Sequence, residues 1–351
     1  MMYTAVDLCS GAGGVTTGLR RLGVRVLGAV DNDLDCVRTM RTNHRNTKTL
    51  QIDLTRASPV TLMREFGLRR GELDILAACT PCQVFSSMAG KNSKPRDYRA
   101  LLVSRMADFV KSWLPRAVIM ENVPGLRHHW RFKRLLGMLR SLGYAVSHKV
   151  LCASDVGVPQ RRKRLVCVAI RSRGSLPDLE LSGDSGSQRR STVREAFRAS
   201  KLCAHDPLNR ARRMSGIVMQ RIQAIPKDGG SRASLCRRLE LRCHSKIRAR
   251  GTAGATNVYG RMKWDEPAPT LTTRCTTPAC GRFLHPTQNR PITLREAALL
   301  QTFPSTYKFV GSYGSIERQI GNAVPPYLAT ATAKFVIGLL EGRVGGDVSE
   351  E

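Results

Sequence analysis

Acidic residues are scarce in this sequence. Lys and Arg number 57 against 27 Asp and Glu, a formal net charge of +30 over 351 residues. Such a surplus speaks of partners and not of fold, and nucleic acid is the leading candidate. An anionic membrane surface fits less well, because no basic amphipathic helix with an aromatic face is evident. Long apolar runs are also missing. None approaches the roughly 18 residues that span a bilayer, so no membrane crossing is expected. The opening Met-Met-Tyr-Thr-Ala-Val-Asp-Leu-Cys lacks a basic region followed by an apolar core, so a secretory leader is not expected and a cytoplasmic location is.

Cysteine gives no disulfide framework either. There are 11, an odd number, and without a secretion signal they read as reduced thiols. Only Cys79 and Cys82 lie within four residues of each other, and no second pair stands at finger spacing. Cys203, His205, Cys236, Cys243 and His244 match no zinc module, so no metal is expected. No internal repeat is present.

What remains is ordinary globular composition, 42% hydrophobic and 24% charged, long enough for one large or two smaller domains. The first 170 residues alternate two patterns. Strand-like runs cover Thr4–Leu8, Val24–Val30, Thr49–Leu54, Leu73–Ala78, Ala117–Met120, Ala145–Cys152 and Leu165–Ile170. Helical periodicity falls at Val15–Leu22, Asp35–Asn43, Leu101–Trp113 and Phe132–Leu142. The alternation predicts an α/β domain whose parallel sheet is covered on both faces, with ligands at the carboxyl ends of the strands. From about Leu176 the texture changes. Residues 181–250 carry 17 Lys and Arg against five Asp and Glu, with little clean periodicity. Helices return at Leu294–Gln301 and Ala323–Leu340. The chain therefore divides at 1–178, 179–290 and 291–351, the middle part being loop-rich and basic.

Several special residues fall at the predicted strand ends. Gly11, Gly13 and Gly14 form a glycine turn after the first strand. The third-glycine spacing of a dinucleotide fingerprint is absent, and no Lys follows as in a phosphate loop, so a cofactor without a pyrophosphate fits better. Asp31 ends the second strand, where an acid would hold ribose hydroxyls. Asp53 follows the third, where it would accept from an adenine amino group. Each Asp taken singly also reads as a helix cap or turn residue. Cys82 lies in the stiff Pro81-Cys82-Gln83 loop after the fourth strand, and Glu121 closes the fifth. A thiol and a carboxyl group on neighbouring strand ends suit an addition-type reaction.

Taken together, these segments resemble the DNA cytosine-5 methyltransferase family. The matching motifs are Asp-Leu-x-x-Gly-x-Gly-Gly (7–14), Pro-Cys-Gln (81–83), Glu-Asn-Val (121–123), Gln-Arg-Arg-x-Arg (160–164), Arg-Glu-Ala-Ala-x-Leu-Gln-x-Phe-Pro (295–304) and Gly-Asn-Ala-Val-Pro-Pro (321–326). Their order and spacing cover nearly the whole chain. The resemblance implies a Rossmann-like S-adenosylmethionine-dependent domain, with 179–290 as a smaller basic target-recognition domain and the C-terminal segment returning to the catalytic domain. It also implies duplex DNA as partner, a monomer, and methyl transfer to C5 of a flipped-out cytosine. A cognate restriction endonuclease is left open as a further partner. A tRNA-methylating relative on the same scaffold would carry Cys-Phe-Thr, which is absent here. A DNA-binding regulator without activity would be expected to lose Cys82 or Glu121, and both are present.

By the same resemblance, the Cys82 thiolate adds to cytosine C6. Glu121 holds the N3 and amino edge, and Arg164, with Arg162 nearby, binds that edge and stabilises its charge. The cofactor pocket is expected from Cys9, Ser10, Gly11, Ala12, Gly13, Gly14, Asp31, Asn32, Asp53, Leu54, Pro81, Asn322 and Ala323. Lys91, Lys94 and Arg96 lie in a loop expected to close over DNA. Two residues depart from the family pattern. Cys9 stands where Phe commonly stacks on adenine, and Asp31 replaces the more usual Glu.

Overall fold

The computed structural model describes residues 2–80, 101–172, 174–183, 191–200, 206–241 and 257–343. Five strands run parallel: β1 (Thr4–Leu8), β2 (Arg25–Asp31), β3 (Lys48–Gln51), β4 (Ile75–Ala78) and β5 (Ala117–Asn122). Between them lie α1 (Gly14–Arg20), α2 (Leu34–Asn43), α3 (Pro59–Glu65) and α4 (Leu101–Trp113). All of Ile75–Ala78 is buried, as expected of a central strand covered on both faces. α3 was not legible from periodicity. It starts on Pro59 behind Ser58, whose hydroxyl accepts from Thr61 N–H at 3.3 Å.

After α5 (Trp130–Ser141) come β6 (Tyr144–Cys152), the short β7 (Gln160–Arg161) and β8 (Lys163–Arg171). The seven-stranded sheet has the order β3-β2-β1-β4-β5-β8-β6. It is not wholly parallel, which corrects the expectation from alternation. β8 runs antiparallel to both β5 and β6. Only the short stretch 153–162 separates β6 from β8, and it contains no α-helix. A parallel return needs a crossover of about a dozen residues or more, so the chain folds straight back. β3 also ends sooner than its apolar run suggests. Asp53 takes the N–H of Thr55 at 2.9 Å and its hydroxyl at 2.7 Å, which makes a turn.

Among the described residues the remaining α-helices are α6 (Val193–Ser200), α7 (Gly216–Ala224), α8 (Leu294–Leu300), α9 (Tyr313–Asn322) and α10 (Pro326–Leu340), with a two-residue strand β9 (Ala268–Pro269) paired to β7. α9 was not foreseen. Ser312 caps it by accepting from Ser315 N–H. α10 lies against α1, close enough that a Cβ on Gly18 would stand 2.6 Å from Ala329 Cβ. One face of the sheet buries Phe109, Trp113, Phe132 and Leu136, and the other buries Leu19, Val26, Leu328 and Val336. In the basic half a small cluster of Ile222, Ile225, Val258, Tyr259 and Leu284 surrounds Arg261. This fully buried guanidinium donates to the carbonyls of Ile222, Ile225, His285 and Gln288 and to Asn289 Oδ1. Every donor aimed at an oxygen makes a buried Arg tolerable.

The stretch Tyr313–Leu340 is 28 residues long, and an 18-residue window within it has a mean hydropathy of 1.3, apolar enough for a membrane helix, which the sequence reading did not anticipate. It is two helices broken between Asn322 and Pro326, and 61% of the apolar window is buried inside the fold. It therefore reads as core.

Candidate active site at the carboxyl ends of the central strands

The strand order reverses between β1 and β4, and a cavity of about 310 Å³ opens at their carboxyl ends. Three groups of side chains meet there.

The first group is the glycine turn. Cys9, Gly11 and Gly13 have φ of 60°, 51° and 86°, so the chain leaves β1 through left-handed backbone. Gly14 leaves no room for a side chain: a Cβ would stand 2.0 Å from the carbonyl oxygen of Val324. Gly11 differs. It lines the cavity, and a Cβ there would meet nothing within 4 Å. Ser10 is buried beside it, and its hydroxyl has no hydrogen-bond partner among the described residues. Cys9, Ser10, Gly11 and Gly14 line the cavity. Gly13 is pressed against Met40 and Tyr307 instead, and the carbonyl of buried Ala12 accepts from the Tyr307 hydroxyl at 2.6 Å.

The second group lies at the ends of β2 and β3. Asp31 accepts from Gly11 N–H at 2.8 Å and from Asp33 N–H at 2.9 Å, so it ties the glycine turn to the start of α2. Burial pushes its carboxyl above the ordinary value, opposed by those N–H donors. Asn32, exposed Asp53 and buried Leu54 continue the wall. The Asp53 carboxyl is held below its ordinary value by Thr55. On β1 itself Asp7 is fully buried and accepts from the Thr16 hydroxyl at 2.7 Å. Burial pushes Asp7 up to about 7.

The third group comes from β5, β8 and the turn after α9. Glu121 ends β5. Because β8 is antiparallel, with Asn122 opposite Leu165, the start of β8 stands at the same edge. Arg164 Nε consequently lies 2.8 Å from Glu121 Oε1, with both side chains largely buried. Asn122 donates to the Thr80 carbonyl at 2.8 Å and to its hydroxyl at 3.1 Å, fixing the residue that precedes Pro81. Pro81, Cys82 and the loop bearing Lys91, Lys94 and Arg96 lie outside the described residues. Arg162 also lines the cavity, and its two terminal nitrogens donate to the carbonyls of Leu271, Gly321 and Ala323 and to Gln160. Asn322 and Ala323 complete this side.

The sequence reading missed Cys36, Cys79, Thr80, Arg318 and Gln319, which line the same cavity. Arg318 and Gln319 sit on the unforeseen α9. Their only advance signal was the Gly311-Ser312 helix start. Burial raises the thiols of Cys9, Cys36 and Cys79 well above their ordinary value, so none of the three is a ready thiolate.

Residues 3–337 match the model of the C-5 cytosine-specific DNA methylase family. The Type II methylase M.HgiDII of Herpetosiphon aurantiacus is 35% identical, over 97% of this chain and 97% of its own. The Type II methyltransferase M.Eco47II of Escherichia coli is 31% identical, over 97% of this chain and 80% of its own. Among solved structures, a DNA modification methyltransferase encoded within an E. coli prophage superposes with a TM-score of 0.68 at 22% identity, over 97% of this chain and 99% of that one. The Dnmt2 methyltransferase of S. pombe gives 0.63 at 15% identity, with the same coverage. At those identities the structures speak for the fold alone.

Proposed function

Since the chain belongs to the C-5 cytosine-specific DNA methylase family, an enzyme family that methylates cytosine in DNA, we propose that it uses S-adenosylmethionine and works through a covalent Cys82–C6 adduct. The observation that carries this reading is a single cavity shared by the glycine turn, Asp31 and the Glu121–Arg164 pair. A cofactor end and a base-activating end adjoin within it.

The residues present suit that cofactor. Ser10 offers a buried hydroxyl with no partner among the described residues, and Gly11 leaves open space where a Cβ would stand. Gly11, Gly14, Asn322 and Ala323 would hold the methionine part, Asp31 the ribose and Asp53 the adenine amino group. When bound, the cofactor supplies an electrophilic methyl group on a sulfonium. The basic middle of the chain, 179–290, supplies the charge to hold duplex phosphates, and the target base is swung out of the stack to reach the cavity.

Cytosine C5 is a poor nucleophile until C6 is attacked. The Cys82 thiolate forms the S–C6 bond, and electron density moves onto C5 and the N3–O2 edge. Glu121 would hold that edge and favour a proton on N3, and Arg164 would offset the negative charge. Once C5 is methylated, water takes its proton, the C–H electron pair forms the C5=C6 double bond, and the Cys82 sulfur leaves as thiolate with the S–C6 pair, which restores the aromatic ring. The relatives' names as Type II methyltransferases favour a modification role, with a cognate endonuclease as companion.

Bisulfite sequencing of plasmid DNA from expressing cells identifies the target cytosine. A duplex with 5-fluorocytosine at that position should then trap a complex stable to denaturant, because fluorine cannot leave as a proton. Cys82→Ala should neither trap nor methylate. Methylation at C5 by Cys82→Ala, or a methyl group on the exocyclic nitrogen, would overturn the mechanism.

A further inference from the structure

Arg162 lies two residues from Arg164 and lines the same cavity, and its terminal nitrogens donate to backbone carbonyls of two other segments. One terminal nitrogen donates to Leu271 O at 3.1 Å and the other to Gly321 O at 3.2 Å and Ala323 O at 3.1 Å. Only 2% of the residue is exposed. Two fully buried amides extend the same network. Gln160 Nε2 donates to Leu300 O and Gln301 Oε1, and Gln160 Oε1 accepts from Leu271 N–H at 2.9 Å. Gln301 Nε2 donates to Ile320 O at 2.6 Å.

Three distant segments are thereby tied together. One is the lead into β8 that carries Arg164. Another is the turn Gly321–Ala323 that walls the cavity. The last is 268–273, paired to the first through β7 and β9. Contact between the last two is close: a Cβ on Gly321 would stand 2.3 Å from Thr272 O. Segment 268–273 lies within the basic middle of the chain, 179–290.

We propose that Arg162 is a positioning residue, not a group that touches the base. It clamps the cofactor turn to segment 268–273, so that cofactor and DNA binding are coupled through its guanidinium. This rests on the reading of the cavity as a methyl-transfer site. A planar fork with several fixed donors can hold three carbonyls from two segments at once, whereas a single ammonium cannot. Coupling of this kind is reciprocal: DNA tightens the cofactor by the factor with which the cofactor tightens DNA.

Isothermal titration calorimetry with S-adenosylhomocysteine, which has no methyl group to transfer, alone and with unmethylated target duplex, tests the proposal on Arg162→Lys and on Gln301→Met. The second variant removes a neighbouring clamp should the first not fold, and circular dichroism checks both. Arg162→Lys is expected to weaken cofactor binding by about tenfold or more, roughly the loss of one hydrogen bond from a charged donor. Its KM for cofactor should rise by a larger factor than its kcat falls. The tightening caused by DNA in the wild type should shrink towards none in both variants. Unchanged cofactor affinity with a large fall in kcat would overturn the proposal and return Arg162 to the reacting base. A wild type whose cofactor affinity ignores DNA would overturn the coupling. A wild type that binds cofactor but transfers no methyl group to DNA would overturn the functional reading instead, and the calorimetric comparison would still decide the role of Arg162.

Discussion

Glu121 Oε1 and Arg164 Nε lie 2.8 Å apart, although the two residues reach the sheet edge on strands of opposite direction. Each leaves little of its side chain to water, 12% for Glu121 and 10% for Arg164. The carboxylate charge faces the cation at the cavity wall, where an arriving base edge would meet both.

Glu121→Gln keeps the shape and removes that charge. Turnover should fall by roughly 10²–10⁴-fold, the usual contribution of general acid–base help. Cofactor affinity measured by calorimetry should change far less. A Gln variant with turnover near the wild-type rate would take Glu121 out of the chemistry.

Asp7 makes stability depend on pH. Its folded carboxyl is pushed by burial from an ordinary 3.8 to about 7, so between those values the folded protein holds a proton that the unfolded chain has lost. The contribution is full below about 4 and is lost as pH rises to about 7. Melting temperatures of the wild type should therefore fall relative to Asp7→Asn across that window. Parallel curves for the two proteins would show that Asp7 does not titrate there.

Gly14→Ala places a methyl group 2.0 Å from backbone, the Val324 carbonyl, and the turn must move. The expected cost is about 1–3 kcal/mol with weakened cofactor binding. Gly137→Ala in α5 is the contrast. Nothing lies within 4 Å of its added carbon, so helix propensity alone should stabilise by roughly 0.5–1 kcal/mol. Equal melting temperatures for the two variants would contradict the close packing of Gly14.

Cys9 lines the cavity, at the position where the resemblance leads us to expect a Phe stacked on adenine. Cys9→Phe should tighten cofactor binding by about twofold to tenfold, from an aromatic contact of roughly 0.5–1.5 kcal/mol. A clear loss of affinity would mean that another side chain already occupies that face.

Much of this site was legible because its signals are local. Glycines at a strand end mark left-handed backbone, and Asp31 and Glu121 close apolar runs that can only be buried strands. The six motifs kept their order whatever the chain did between them. These are properties of neighbouring residues, and short-range sterics and burial decide them. The direction of β8 was also implicit in the short connection after β6, but only backbone length and hydrogen-bond geometry turn that into an antiparallel strand.

The tertiary structure alone decided what Arg162 and Arg164 touch. In sequence they stand two apart in one basic run, with nothing to tell them apart. In the fold Arg164 meets a carboxylate 43 positions earlier, while Arg162 donates to carbonyls 109, 159 and 161 positions away. Arg318 and Gln319 likewise reach the cavity from a helix whose pattern was too short to read. A guanidinium takes its role from the oxygens that surround it when buried. Those oxygens were brought together by packing the C-terminal helices and segment 268–273 against the sheet, and no local pattern encodes that meeting.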